Sequence, residues 1–253
     1  MKKLLLTLSR QREENKFNYD EIDEGYYDEI MSSKGAQSKW HELKFKRIYR
    51  LIEKECPKKL LDIACGPGTF ISKLPNSIES CGVDIAEKQI NYASTKYSKA
   101  GVSFYRCEDA SYPLDDNIFD IVTSIEFIEH VSIDSCKKNF LEMKRCLKSG
   151  GKIIITTPNY NSMWPIFEYI VSHITKENYL EQHVTHYTKK SLRKIMQDSG
   201  FINIKIESYL FLSAFFVYLG NNLSNWIFDQ ENKYIKNWGN LLIATGEVRN
   251  EER

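Results

Sequence analysis

The chain lacks a dominant charge: 35 lysines and arginines face 34 aspartates and glutamates among 253 residues, a formal charge of +1. A surface without an excess of either sign exerts no global pull on nucleic acid or on an anionic bilayer. Cysteine pairing is missing too. The six cysteines (Cys56, Cys65, Cys81, Cys107, Cys136, Cys146) contain no Cys-x-x-Cys and no zinc-like spacing. They read as reduced thiols of a cytoplasmic protein rather than as a disulfide frame. Long apolar runs are also absent. Leu4 to Leu8 is too brief for a signal-peptide core and no small-residue cleavage site follows, so an untargeted N-terminus is expected. No repeat and no low-complexity linker interrupts the chain, so one domain over 1–253 is expected. Its parts would be an N-terminal arm and lid helix (1–55), a cofactor-binding half (56–158) and a substrate-side half (159–253) with an insertion at 209–237.

What is present is alternation. Trp40, Leu43, Ile48, Leu51 and Ile52 recur at helical spacing over Ser38 to Glu55, ahead of Pro57. Short apolar runs then predict strands at Lys59–Ala64, Ser80–Ile85, Ser103–Arg106, Phe119–Ile125, Lys152–Thr157, Phe201–Ser208 and Leu241–Val248. Helices fit between them at Thr69–Leu74, Glu87–Lys99, Cys136–Leu147 and Lys189–Ser199. The pattern predicts an α/β fold: a doubly wound, seven-stranded, mostly parallel Rossmann-like sheet. Two segments depart from it. Residues 159–188 form a connection long enough to be functional, and 209–237 is an aromatic excursion.

The stretch LLDIACGPGTF, residues 60–70, ends the first strand in a Gly-Pro-Gly turn. Gly66 and Gly68 let a ligand approach the backbone and the N–H groups of a following helix. A dinucleotide fingerprint would need a third glycine where this chain has Ile71. Asp84, ending the second strand, suits ribose hydroxyls in either cofactor class. Asp109, after the third strand, can accept from an adenine amino group. Three acids at successive strand ends suit a ligand that carries positive charge.

These motifs resemble the class I S-adenosylmethionine-dependent methyltransferases, closest to the ubiquinone-type O-methyltransferases and the general small-molecule branch. The matching stretches are LLDIACGPGTF, CGVDIA (81–86), EDASYPL (108–114), FDIVTSIEFIEHV (119–131) and LKSGGKIIITTPN (147–159), and the resemblance spans roughly residues 40–208. It implies S-adenosylmethionine as cofactor and an antiparallel last strand. Asp62, Ala64, Gly66 and Gly68 would border its methionine part, Asp84 and Ile85 the ribose, Asp109 and Ala110 the adenine, and Ile125 the sulfonium. The family usually has glycine where this chain has Ala64.

Methyl transfer from a sulfonium needs positioning and exclusion of water more than a nucleophilic side chain. A base helps when the acceptor is a hydroxyl. His130 and Glu129 are the candidates. If 126–131 form a helical turn, Glu126, Glu129 and His130 share one face. In relatives Glu-x-x-Glu-His is associated with substrate positioning or a divalent metal; local hydrogen bonding without a metal is the plainer expectation. His183 and His186, before a helix capped by Thr188, are candidates for an acceptor pocket, and Trp40 and His41 are substrate-side candidates for a lid that closes over the cofactor. His173 is expected to be structural. The run at 209–228 breaks at Gly220, short of the roughly 20 residues a spanning helix needs, and is expected to form a helical cover with a peripheral lipid contact as one reading. The expected partner is a small-molecule acceptor, an oxygen on a sugar, quinone precursor or lipid-linked intermediate. The rivals are a nicotinamide-dependent oxidoreductase and a non-catalytic cofactor-binding module.

Overall fold

The structure, a computed structural model, describes residues 22–174 and 182–250. The early arm, Tyr19 included, lies largely outside them. The elements run α1 (Tyr26–Ser32), α2 (Ala36–Glu55), β1 (Lys59–Ile63), β2 (Glu79–Asp84), α3 (Glu87–Tyr97), β3 (Val102–Arg106), β4 (Phe119–Ile125) and α4 (Ile133–Cys146). Then follow β5 (Leu147–Pro158), α5 (Trp164–Ile174), α6 (Lys189–Asp198), β6 (Ile202–Tyr209), α7 (Asn221–Tyr234) and β7 (Leu241–Glu247). The seven strands form one sheet in the order β3-β2-β1-β4-β5-β7-β6. β1 to β5 are parallel, and β7 runs antiparallel to both β5 and β6.

The central strands lack alternation because both faces are covered. On one face Phe140 and Met143 of α4 meet Leu192 and Met196 of α6 over Leu61, Val122 and Ile153. On the other, Leu43 and Ile48 of α2, Ile90 of α3 and Phe228 of α7 lie over Leu60, Ile121 and Ile154. The strand order reverses between β1 and β4, and a crevice beyond such a switch is where open α/β sheets take ligands.

Several boundaries differ from the sequence expectation for local reasons. The helix predicted at Thr69–Leu74 is one 3-10 turn, Ile71–Lys73, ended by Pro75. α4 starts earlier, at Ile133, because Ser132 caps it with its hydroxyl on the Ser135 N–H. β5 starts at Leu147, which pairs with Phe119 across an irregularity before the regular register begins at Lys152. Thr188 caps α6 in a reciprocal box with Ser191, as its position predicts. The aromatic excursion folds as a 3-10 segment, Ser213–Leu219, followed by α7. Among the described residues no helix is long and apolar enough to cross a membrane.

Candidate active site

The glycine turn is wired to the second strand. After Ile63 the chain enters Ala64 at φ 55°, and Gly66 and Gly68 follow at φ 52° and 75°. The Gly68 N–H closes the turn on the Cys65 carbonyl at 3.1 Å. A Cβ on Gly68 would stand 2.8 Å from the Phe104 ring, so only glycine lets the turn close over β3. Ile71 is buried under the turn, filling space that a dinucleotide fingerprint leaves to a third glycine.

The Asp84 carboxylate accepts the Gly66 N–H through Oδ2 and the Ala86 N–H through Oδ1, both at 2.8 Å. Beside it Ile85 is 47% exposed. Asp62 is buried in β1 and accepts from the Thr123 hydroxyl at 2.6 Å. Burial pushes its pKa up to about 7, the Thr123 bond opposing and the Asp84 charge adding. Asp109 is exposed and takes the Ser135 hydroxyl at 2.9 Å, next to Ala110 at φ 51°. Half-buried Ile125 ends β4. The predicted cofactor residues thus gather at the carboxyl ends of β1, β2, β3 and β4.

α1 roofs this turn. A Cβ on Gly66 would lie 3.9 Å from the Tyr27 ring, and Tyr27 meets His41 edge-on with centroids 5.4 Å apart. Asp28 accepts from Thr69 Oγ1 at 2.8 Å, Tyr92 Oη at 2.8 Å, Lys96 Nζ at 2.9 Å and Tyr97 Oη at 2.6 Å. Burial alone would raise the Asp28 pKa, but Lys96, Tyr97, Thr69 and Tyr92 together hold it below the usual carboxylate range. His41 stays neutral, its pKa far below the imidazole range through burial and the Lys44 charge. Sequence reasoning missed Tyr27 and Asp28 as site residues; only the tyrosine pair at 26–27 marked the segment.

Beyond β4 the arrangement corrects the expectation for 126–131. The turn is a 3-10 segment of Ile128–His130 alone, and Glu126 stands before it at φ 51°, paired with buried Lys44 of α2. Glu126 therefore does not share a helical face with Glu129 and His130. The third member is His183: donor atoms of Glu129, His130 and His183 lie within 4.8 Å of one another, close enough to share a proton or surround a small cation. The segment carrying His183 docks through the Val184 and Thr185 N–H groups, which donate to the Glu129 carbonyl at 2.8 and 2.9 Å.

Glu129 is fully buried and accepts from the Thr157 hydroxyl at 2.9 Å through Oε2. Its Oε1 has no partner among the described residues. Burial raises its pKa to about 7, His183 opposing and Glu126 adding. His130 is pushed down to about 3 by burial and by His183, against a 3.2 Å contact between its Nδ1 and the Gln182 carbonyl. His183 moves the other way. Burial would lower it, but Glu168, bonded to its Nδ1, and Glu129 raise it.

Trp40 tilts against Trp164 at 5.9 Å, which in turn faces His183 at 6.4 Å. His186 is exposed and stacks on Tyr160 at 3.9 Å, on the outer side of the cluster. His173 lies exposed, its Nδ1 2.7 Å from the Tyr169 carbonyl. Glu168, Tyr160 and Lys44 were not anticipated. Glu168 left a trace as the single acid or base of the lysine- and arginine-type in 159–174, and Lys44 as a cation on the apolar stripe between Trp40 and Ile48.

The sheet order, the glycine turn and the strand-end acids are those of a doubly wound α/β fold with a ligand crevice at the carboxyl ends of its strands. The fold is that of the class I S-adenosylmethionine-dependent methyltransferases. Residues 61–155 match the methyltransferase-domain family. A demethylmenaquinone methyltransferase of Staphylococcus aureus is 26% identical over 190 residues, covering 67% of this chain and 78% of the relative. Among solved structures, a SAM-dependent methyltransferase from Archaeoglobus fulgidus superposes with TM-score 0.59 at 22% identity, covering 81% of this chain and 93% of its own. The Haemonchus contortus phosphoethanolamine N-methyltransferase 2 complex with S-adenosyl-L-methionine gives 0.54 at 22% identity over 77% of this chain. The chain spans only 49% of that structure.

Proposed function

We propose that the protein transfers the methyl group of S-adenosylmethionine to an oxygen of a small-molecule acceptor. One observation carries the reading: a buried carboxylate and two imidazoles, Glu129, His130 and His183, converge just past β4, next to the turn ringed by Asp62 and Asp84. The acidic turn suits a cofactor whose sulfonium and amino groups are cationic, with Asp62, Ala64, Gly66 and Gly68 at its methionine end. Asp84 and Ile85 take the ribose, Asp109 and Ala110 the adenine, and Ile125 the sulfonium side. The imidazole cluster supplies what oxygen acceptors need and cofactor binding does not, a group to take a hydroxyl proton. Trp40 and His41 close the acceptor side.

A sugar, a quinone precursor and a lipid-linked intermediate all present such a hydroxyl. The name of the Staphylococcus aureus relative favours a quinone precursor as the acceptor class, without bearing on which of its atoms is methylated. The stretch 209–228, which has no charged residue, supports an acceptor with an apolar part: Phe215, Tyr218, Leu219 and Trp226 are exposed, and Trp226 lines a cavity of about 340 Å³ with Phe211, Leu212, Phe216, Tyr234 and Glu231.

The test is release of S-adenosylhomocysteine across a panel of hydroxyl and amine acceptors. Turnover is expected with a hydroxyl class, and His130→Ala and Glu129→Gln should each lower it by more than about tenfold with cofactor affinity retained. Turnover confined to amines would overturn the oxygen assignment.

A further inference from the structure

From Trp164 to Val171 the sequence is apolar and aromatic apart from Glu168, and yet Glu168 is 2% exposed. A carboxylate in such a place is costly unless paired, and an apolar residue there would serve packing better. Its partners are specific. Glu168 Oε1 accepts from Tyr160 Oη at 2.7 Å and bonds His183 Nδ1, while Tyr160 Oη lies 2.9 Å from the same nitrogen. His183 is itself 4% exposed, and its ring meets that of His130 edge-on at 4.9 Å. Glu168 and Tyr160 face Nδ1, so Nε2 is the ring nitrogen on the side turned away from that pair.

Resting on the methyl-transfer reading above, we propose that His183 is the proton acceptor of the reaction and that Glu168, with Tyr160, is its positioning residue. In the step, the acceptor oxygen forms a bond to the methyl carbon as the carbon–sulfur bond breaks. The sulfur keeps the electron pair, S-adenosylhomocysteine leaves, and the hydroxyl proton passes to His183 Nε2. The Glu168 carboxylate then faces the new imidazolium. This is the base-and-orienter arrangement of nucleophilic enzymes with the nucleophile supplied by the acceptor. The connection after β5 thereby becomes part of the catalytic apparatus, since α5 carries the orienting carboxylate and the loop before α6 carries the base.

The experiment uses the full chain with the acceptor found by the S-adenosylhomocysteine-release panel. Glu168→Gln is expected to lower kcat about 10- to 100-fold, with acceptor KM and S-adenosylmethionine Kd within about twofold. Glu168→Asp should recover part of the loss, and Tyr160→Phe should lose less than Glu168→Gln. The double variant Glu168→Gln/His183→Ala should be no slower than His183→Ala alone, because the carboxylate acts only through the imidazole. A kcat of Glu168→Gln within about twofold of the parent, or losses that multiply in the double variant, would overturn the proposal. A physical readout runs beside it: histidine-selective ¹⁵N NMR of the parent should show a deshielded His183 N–H proton, displaced in Glu168→Gln. Its persistence in that variant sinks the pairing. Failure of the parent to bind S-adenosylmethionine would instead sink the methyl-transfer reading, so the two failures are separable.

Discussion

Ala64 stands where the methyltransferase motif that this chain resembles has glycine, and its conformation says why glycine suits the position. At φ 55° it sits in the left-handed region, which costs an L-residue about 1–2 kcal/mol, whereas glycine adopts it freely. Ala64→Gly gains that strain back but loses about 0.4–1 kcal/mol to the looser unfolded chain. A net stabilisation of about 0.5–1 kcal/mol is expected, read as a higher urea midpoint at unchanged slope. Gly68→Ala should do the opposite, since its Cβ would meet the Phe104 ring at 2.8 Å and φ is 75°; a loss of at least about 2 kcal/mol follows from strain and overpacking together. Asp62 supplies the pH dependence. Its folded pKa of about 7 lies above the unfolded value near 3.9. Its contribution to stability is therefore fully present below about pH 4 and is lost as pH rises through 7. The ligated state has the reverse demand, because a cationic cofactor wants the carboxylate. Cofactor Kd should fall about tenfold between pH 6 and pH 8, with proton release visible by calorimetry in buffers of different ionisation enthalpy, and Asp62→Asn should flatten both.

At the scale of elements, α1 shows what a linear reading could and could not see. Its tyrosines marked the segment, but the clamp that holds it is made of partners 41, 64, 68 and 69 residues away. No local periodicity encodes such pairs. Asp28 joins α1 both to the glycine turn through Thr69 and to α3 through Tyr92, Lys96 and Tyr97. Loosening it should free the roof over the cofactor turn. Asp28→Asn is expected to speed amide exchange in 26–32 and to weaken S-adenosylhomocysteine retention about tenfold, near 1.4 kcal/mol. Because the Asp28 pKa is held low, the clamp is intact at neutral pH and fails only as acid protonates it. Unchanged exchange in α1 would mean that Tyr27 packing on His41, not the carboxylate, seats the helix. The 126–131 turn makes the same point: Glu129 and His130 were legible from their neighbours in sequence, whereas Lys44 drawing Glu126 aside and His183 arriving from 53 positions past His130 were tertiary facts.

On the scale of the whole molecule, the sheet was legible because its central strands are apolar runs covered on both faces, and the antiparallel seventh strand because the resemblance implied it. Glu168 stayed hidden because a single acid in an apolar run looks the same whether it points to solvent or, as here, into the site. The two cores meet at the sheet, and the ends of β1, β2 and β4 carry the residues that would hold the cofactor. A ligand bound there braces strands that touch both cores and draws α1 down through the Thr69–Asp28 contact. Binding to the folded state alone adds about 2.7 kcal/mol when the ligand is at about 100 times Kd. For a chain of this length that raises Tm by about 5–10 °C. S-adenosylmethionine or S-adenosylhomocysteine should give this shift, and nicotinamide dinucleotides should give none, because Ile71 fills the space beneath the turn that their fingerprint leaves to glycine. Scanning fluorimetry across the two cofactor classes checks it. An equal shift with a dinucleotide would show that the turn still cradles a pyrophosphate, and a shift lost in Asp84→Ala would place the binding at the β2 end, where that carboxylate holds the Gly66 N–H.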